Sequence, residues 1–229
     1  MMLLALALGL GIACFLIWWL LVETEGVYLG RRVVIALYDL VAYRYDRIKQ
    51  FDEYADHALV SQAIVAAIAP KTDPLILDVA TGTGRVPLLM ARNAGFHGHV
   101  VGIDASRRML AVAREKVTAQ GFEGFITLLR HDASRLPFPA GHFDVVTCLE
   151  ALEFMPDQAA ALAEMARVLK PGGVLLTTIR IDSRWMPNRT WSEPKMREAL
   201  TKLGMRGIHF AIWQEDYSQV WAQKPTTAA

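Results

Sequence analysis

Acidic residues close three successive apolar runs of this chain: Asp78 after "LIL", Asp104 after "VVGI" and Asp132 after "ITLLRH". The first acid leads into Ala80-Thr81-Gly82-Thr83-Gly84 and then into a segment of helical spacing. A strand, a glycine turn and a helix together suit a nucleotide-like ligand, because the turn and the helix start present unpaired backbone N–H groups. Two phosphate-binding patterns fail on named residues. The dinucleotide fingerprint needs a third glycine where Pro87 stands, and the triphosphate loop needs a lysine after Gly84, where none follows.

Asp78, at the mouth of the turn, would repel a pyrophosphate and suits an amine-bearing or cationic ligand. Ligands of open α/β sheets lie outside the carboxyl ends of the strands. There, an acid after the second strand can accept from both hydroxyls of a ribose. An acid after the third can accept from the exocyclic amine of a base, although Asp-Ala-Ser at 132–134 also makes an ordinary Asx turn. The turn's N–H groups remain for a carboxylate. S-Adenosylmethionine (SAM) carries an amine, a carboxylate, a ribose diol and an adenine amine, and no phosphate.

Other reactive side chains are fewer. Glu150 and Glu153 follow the fourth apolar run, where they read as a general base, a cation-facing wall or solvated loop acids. Cys148 has no neighbouring His or Lys in sequence to lower its pKa and reads as a small packed residue. Cys14 and Cys148 read as free thiols, and neither they nor His131 and His142 show metal-ligand spacing, so no metal is expected. "RIDSRWMPNRTW", 180–191, reads equally as an acceptor-pocket wall or a surface connection.

The elements that must hold these residues alternate. Strands are expected at 75–80, 99–104, 125–132, 143–150 and 174–180, short and continuously apolar as in a parallel sheet covered on both faces. Helices are expected at 85–93, over "RRMLAVAREKVTAQ" before Gly121, and over "DQAAALAEMARVLK" up to Pro171-Gly172-Gly173. A further helix runs from Ser192 as N-cap to Gly204, and the stretches 207–213 and 218–223 should pair as an antiparallel hairpin.

"LDVATGTG", "VVGIDAS", "HDASRLPFPAGHFDVV" and "EMARVLKPGG" stand in the order and spacing of the motifs of Class I SAM-dependent methyltransferases. The chain resembles that family over about residues 74–180, nearest to the small-molecule branch that includes quinone-biosynthesis C-methyltransferases. The resemblance implies a Rossmann-like, doubly wound α/β sheet of seven strands, mostly parallel, with the C-terminal hairpin antiparallel. It implies SAM as cofactor, with Gly82-Thr83-Gly84 at the methionine part, Asp104 on the ribose, Met109 near the adenine, and Asp132 with Ala133 reading the adenine amine. Asp78, Ala80, Thr81, Ala105 and Leu149 complete the implied cofactor site. Where relatives often carry histidines after the fourth strand, this chain has Glu153 and Phe154, so no histidine base is available there.

A formal net charge of +1 and the lack of a basic run give no field for nucleic acid. The hydrophobic fraction of 53% owes much to residues 1–22, which contain no charged side chain. Such a stretch is long enough to cross a bilayer as a helix, and Trp18-Trp19 near its end suit the headgroup level. The alternatives are a cleaved signal peptide, against which stands the bulky Trp-Trp-Leu-Leu-Val end, and a buried core helix. Arg31, Arg32, Arg44 and Arg47 follow the span and favour a cytoplasmic catalytic domain. Three regions are expected: an anchor at 1–22, one or two juxtamembrane helices within 23–73, and a SAM-binding domain at 74–229. The Tyr–Arg interleaving of "YDLVAYRYDRI" reads more simply as a juxtamembrane helix than as a substrate lid. The expected function is methyl transfer to a small lipophilic acceptor at the membrane. The rivals are a tethered methyltransferase of a soluble metabolite or protein, and a SAM-binding module without turnover.

Overall fold

The computed structural model describes residues 1–182 and 184–226. Seven strands form one sheet in the order β3-β2-β1-β4-β5-β7-β6. They are β1 (Leu75–Val79), β2 (His99–Asp104), β3 (Ile126–Arg130), β4 (Phe143–Cys148), β5 (Leu169–Arg180), β6 (Arg206–Ile212) and β7 (Tyr217–Gln223). The first five are mutually parallel, and β7 pairs antiparallel with both β5 and β6. From β1 the chain moves to β2 and β3 on one side and returns to β4 on the other. That reversal opens a crevice at the carboxyl ends of β1 and β4.

Alternate residues of the central strands serve two cores. Leu77, Val79 and Val146 pack with Leu162 and Met165 of α8 (Gln158–Val168) and with Met196 and Leu200 of α9 (Glu193–Lys202). Ile76 and Val145 pack with Ile64 and Ile68 of α5 (Gln62–Ile68) and with Val86 and Met90 of α6 (Arg85–Ala91). Burial on both faces explains why these strands read as unbroken apolar runs. Ser106 caps α7 (Arg107–Ala119), its hydroxyl accepting from the Met109 N–H at 3.0 Å.

Two expectations are corrected. The helix expected to reach Pro171 stops at Val168, and β5 starts at Leu169, which pairs with Phe143. A residue before proline avoids the α-helical region, so Leu169-Lys170 joins the sheet ahead of Pro171. A register shift then restores pairing at Val145–Val174. Second, the region between the apolar segment and β1 is more broken than one or two helices. It contains α2 (Arg31–Val41), α3 (Tyr45–Lys49), α4 (Glu53–Asp56) and α5, joined by 3-10 and π turns. Positive φ at Gly26, Gly30 and Gln50 marks where the helical path turns. At α9, Ser192 takes the N-cap position as expected, but its side chain makes no capping bond.

The N-terminal helix α1 (Met2–Trp18) continues through a π turn at Trp19–Glu23. This 22-residue element is long and apolar enough to cross a membrane, and its apolar stretch is not buried against the rest of the protein.

Candidate functional site

The cleft lies where the crevice was expected. Its volume is about 830 Å³ counting the solvent-open mouth. Its floor is the turn after β1. Ala80 (φ +58°), Gly82 (φ +54°) and Gly84 (φ +85°) all adopt left-handed backbone there, which brings the turn back beneath the strand ends. A Cβ on Gly84 would lie 3.3 Å from the Ala113 Cβ, so this glycine also lets α6 approach α7.

Asp104, at the end of β2, is fixed from two sides. The Gly82 N–H donates to one carboxylate oxygen at 2.8 Å and the Ser106 N–H to the other at 2.7 Å. Each oxygen keeps a lone pair for a ligand hydroxyl. Burial raises the pKa of Asp104, and those backbone donors oppose the rise. Asp78 is more enclosed. Burial pushes its carboxyl up to about 6, and the Thr147 hydroxyl donates to it at 2.5 Å. Asp132 and Ala133 line the far end, where Ser134 N–H donates to Asp132 and closes the Asx turn.

Most of the residues expected from sequence meet here. Ala80, Gly82, Asp104, Ala105, Asp132, Ala133, Leu149 and Glu150 line the main cleft. Asp78, Thr81 and Thr83 line an adjoining recess shared with Ala80, Gly82, Leu149 and Glu150. Gly84 stands behind the turn as the N-cap of α6. Met109 is buried with Ala42 and Val112 and is not among the lining residues. Glu150 and Glu153 are separated. Glu150 faces the cleft with φ +52°, its N–H donating to the Thr178 hydroxyl. Its carboxylate takes Arg85 at 2.6 Å and Lys49 at 3.5 Å. Glu153 is buried behind the wall, does not line the main cleft and accepts from the Tyr217 hydroxyl at 2.6 Å. Burial raises its pKa against that hydrogen bond. Burial likewise raises the pKa of Cys148, consistent with a packed thiol.

Several site residues were missed from sequence. Arg85 directly follows Gly84, bridges Asp56 and Glu150, and stacks over Phe51 and Trp213. Its place beside the turn was a legible signal, but its partners lie 29 and 65 residues away. The "YDLVAYRYDRI" stretch roofs the cleft, with Tyr38 and Tyr45 in its lining. Arg31 also lines the cleft and pairs with Asp132 at 3.0 Å. Phe154 and Met155 supply apolar wall, and Tyr38 meets Phe154 edge-on.

The residues present fit SAM. A backbone-anchored acid with free lone pairs suits a ribose, an enclosed acid suits an amine, and the left-handed glycines admit close approach of a ligand to the turn. Among the described residues no group of His, Cys, Asp and Glu is arranged to hold a metal ion.

Comparison with known proteins agrees with this geometry. Residues 77–177 match the family model described as a methyltransferase domain. The ubiquinone/menaquinone biosynthesis C-methyltransferase UbiE of Francisella philomiragia is 35% identical over 146 residues, covering 64% of this chain and 58% of that protein. The chain thus spans under two thirds of the length of that relative. The demethylmenaquinone methyltransferase of Lactiplantibacillus plantarum is 36% identical over 186 residues, covering 81% of this chain and 77% of its own length. Among solved structures, the [4+2]-cyclase SpnF superposes with a TM-score of 0.72 at 20% identity, over 85% of this chain and 96% of that one, a likeness of fold alone. The chain belongs to the Class I SAM-dependent methyltransferases and is similar, within them, to the quinone-biosynthesis enzymes.

Proposed function

We propose that this protein is a SAM-dependent methyltransferase acting on a lipophilic acceptor of the quinone class, held at the membrane by residues 1–22 with its catalytic domain on the cytoplasmic side. The observation that carries the reading is the make-up of one cleft. The fixed carboxylates Asp104 and Asp132 share it with an apolar wall of Val34, Ile35, Phe154 and Met155. The similarity to the demethylmenaquinone methyltransferase supports the acceptor class.

In this reading Asp104 holds the ribose, Asp132 the adenine amine, and Asp78 the methionine amine. The sulfonium of SAM supplies an activated methyl group, so the protein need only align the acceptor and exclude water. Tyr38 and Tyr45 of the roof and Phe154 of the wall perform that exclusion. Glu150 is the lining acid placed to hold a proton leaving the acceptor, with Arg85 and Lys49 orienting its carboxylate. Glu153 instead braces the wall through Tyr217.

The test incubates the full chain with methyl-labelled SAM and two acceptors: a demethylated prenyl quinol in vesicles, and its water-soluble headgroup without the prenyl tail. Label transferred preferentially to the prenylated acceptor is the expected result. Label confined to soluble compounds or protein rejects the acceptor class. SAM binding without any transfer identifies a module without turnover.

A further inference from the structure

We infer that the base of the apolar helix carries a bilayer-docking collar, formed with the connection after β5, that lays the mouth of the cleft against the lipid headgroups. The inference rests on the proposed membrane role of residues 1–22 and adds a second contact, from the catalytic domain itself.

The collar is built from chain segments far apart in sequence. The Trp19 indole N–H donates to the Trp185 carbonyl at 3.0 Å, and the Tyr28 hydroxyl donates to the Pro187 carbonyl at 2.6 Å. Trp19 stacks on Tyr28 with ring centroids 5.2 Å apart. The end of the apolar helix, the chain just after it and the post-β5 connection are therefore fixed at one level. Around these contacts the surface is apolar. Tyr28 is 38% exposed, Leu29 44%, Trp185 45% and Ile181 54%. Tryptophan and tyrosine prefer the membrane–water interface, where an apolar ring and a polar tip are both satisfied.

The occupant is lipid for two reasons. A helix apolar on every side has no polar face to turn away from a protein partner, whereas a bilayer covers all of it. The collar is continuous with that helix through the Trp19 bonds. Its formal charge is balanced: Arg184 pairs with Asp182 at 2.7 Å, and Glu23 and Glu25 at the helix base stand against Arg31 and Arg32 after it. Docking thus depends on ring burial rather than on anionic headgroups.

The same connection reaches the cleft. Arg189 donates to the Glu153 carbonyl at 2.8 Å and also to the Met155 carbonyl. Phe154 and Met155 are cleft wall. Ile181 directly follows the carboxyl end of β5, so the collar lies on the edge of the sheet that bears the site. Phe125 precedes β3 and lies on the opposite edge.

The experiment places an environment-sensitive fluorophore at single cysteines of the full chain. Native Cys14 is exposed on the helix and reports its insertion, while Cys148 is buried and takes no label. In a Cys14→Ser background, Leu29→Cys and Ile181→Cys report the collar, and Phe125→Cys reports the opposite edge. The chain is reconstituted in phosphatidylcholine vesicles and in an equimolar mixture with phosphatidylglycerol. Expected are blue-shifted emission at 29 and 181 in both lipids, stronger quenching there by headgroup nitroxide lipid than by mid-chain nitroxide lipid, and no shift at 125. A lipid-embedded probe at 14 with water-exposed probes at 29 and 181 overturns the collar and leaves the anchor standing. A water-exposed probe at 14 overturns both. Blue emission at 29 and 181 without lipid quenching means that protein covers the collar, which also overturns it.

Discussion

Asp78 is the residue whose protonation is most displaced by the fold among the acids expected to touch the cofactor. Its carboxyl sits at about 6 against an ordinary 3.8, because burial disfavours the charged form. For a raised acid, the stabilising contribution is fully present below 3.8 and is lost as pH rises through about 6. Asp78→Asn keeps an oxygen for the Thr147 hydroxyl and removes the charge. Thermal melts above that range should therefore show the ligand-free variant more stable than wild type, by about 1–3 kcal/mol. The difference should vanish as pH falls below 3.8. SAM affinity should move the other way. It should weaken in wild type as pH drops through about 6, and be low and pH-insensitive across that range in Asp78→Asn. Arg85 gives a second residue-scale prediction. It is paired with Asp56 and Glu150, both nearly fully buried. Arg85→Ala strands the buried Asp56 carboxylate and leaves Glu150 with Lys49 at 3.5 Å, so denaturant melts should lose about 3–5 kcal/mol. Arg85→Lys should restore only part of it, because an ammonium cannot replace the two-pronged guanidinium contact.

At the scale of elements, the site depends on how the β1 turn meets α6 and α7. Gly84→Ala places an L-residue at φ +85° and a methyl 3.3 Å from the Ala113 Cβ. The backbone term alone costs about 1–2 kcal/mol, and calorimetry should show weakened SAM binding as the turn shifts. What the sequence revealed and concealed follows the same division. The strand–turn–helix unit, the order of the acids and the C-terminal hairpin were legible because they are local patterns. Burial of both faces of β1 and β4 wrote those strands directly into the apolar runs. The start of β5 was hidden, since Leu169-Lys170 follow a helical pattern and only pairing with Phe143 draws them into the sheet. The roof was hidden too. Helical spacing showed that α2 exists, but its seat over the cleft depends on Ala42 and Tyr38 packing against Met109 and Val112 of α7. For the same reason Met109, which the resemblance placed near the adenine, is found beneath the roof. Glu150 and Glu153 are three residues apart in sequence, yet a left-handed Glu150 and the turn at Leu152–Phe154 send them to opposite sides of one wall.

For the whole molecule, an apolar helix with no buried residue and a cleft domain with its own two cores make different demands on their surroundings. The full chain should float with phosphatidylcholine vesicles and resist extraction by high salt and alkaline carbonate; release by salt alone would contradict a hydrophobic anchor. All of this presumes that the cleft holds SAM, and titration calorimetry tests that most directly. Wild type should bind SAM at one site per chain. Asp104→Ala should retain its far-ultraviolet circular dichroism and bind at least about tenfold more weakly, since hydrogen bonds from the ribose to a charged acceptor are each worth about 1.5–3 kcal/mol. Wild type that fails to bind SAM, or a folded Asp104→Ala that binds it as tightly as wild type, would contradict the account.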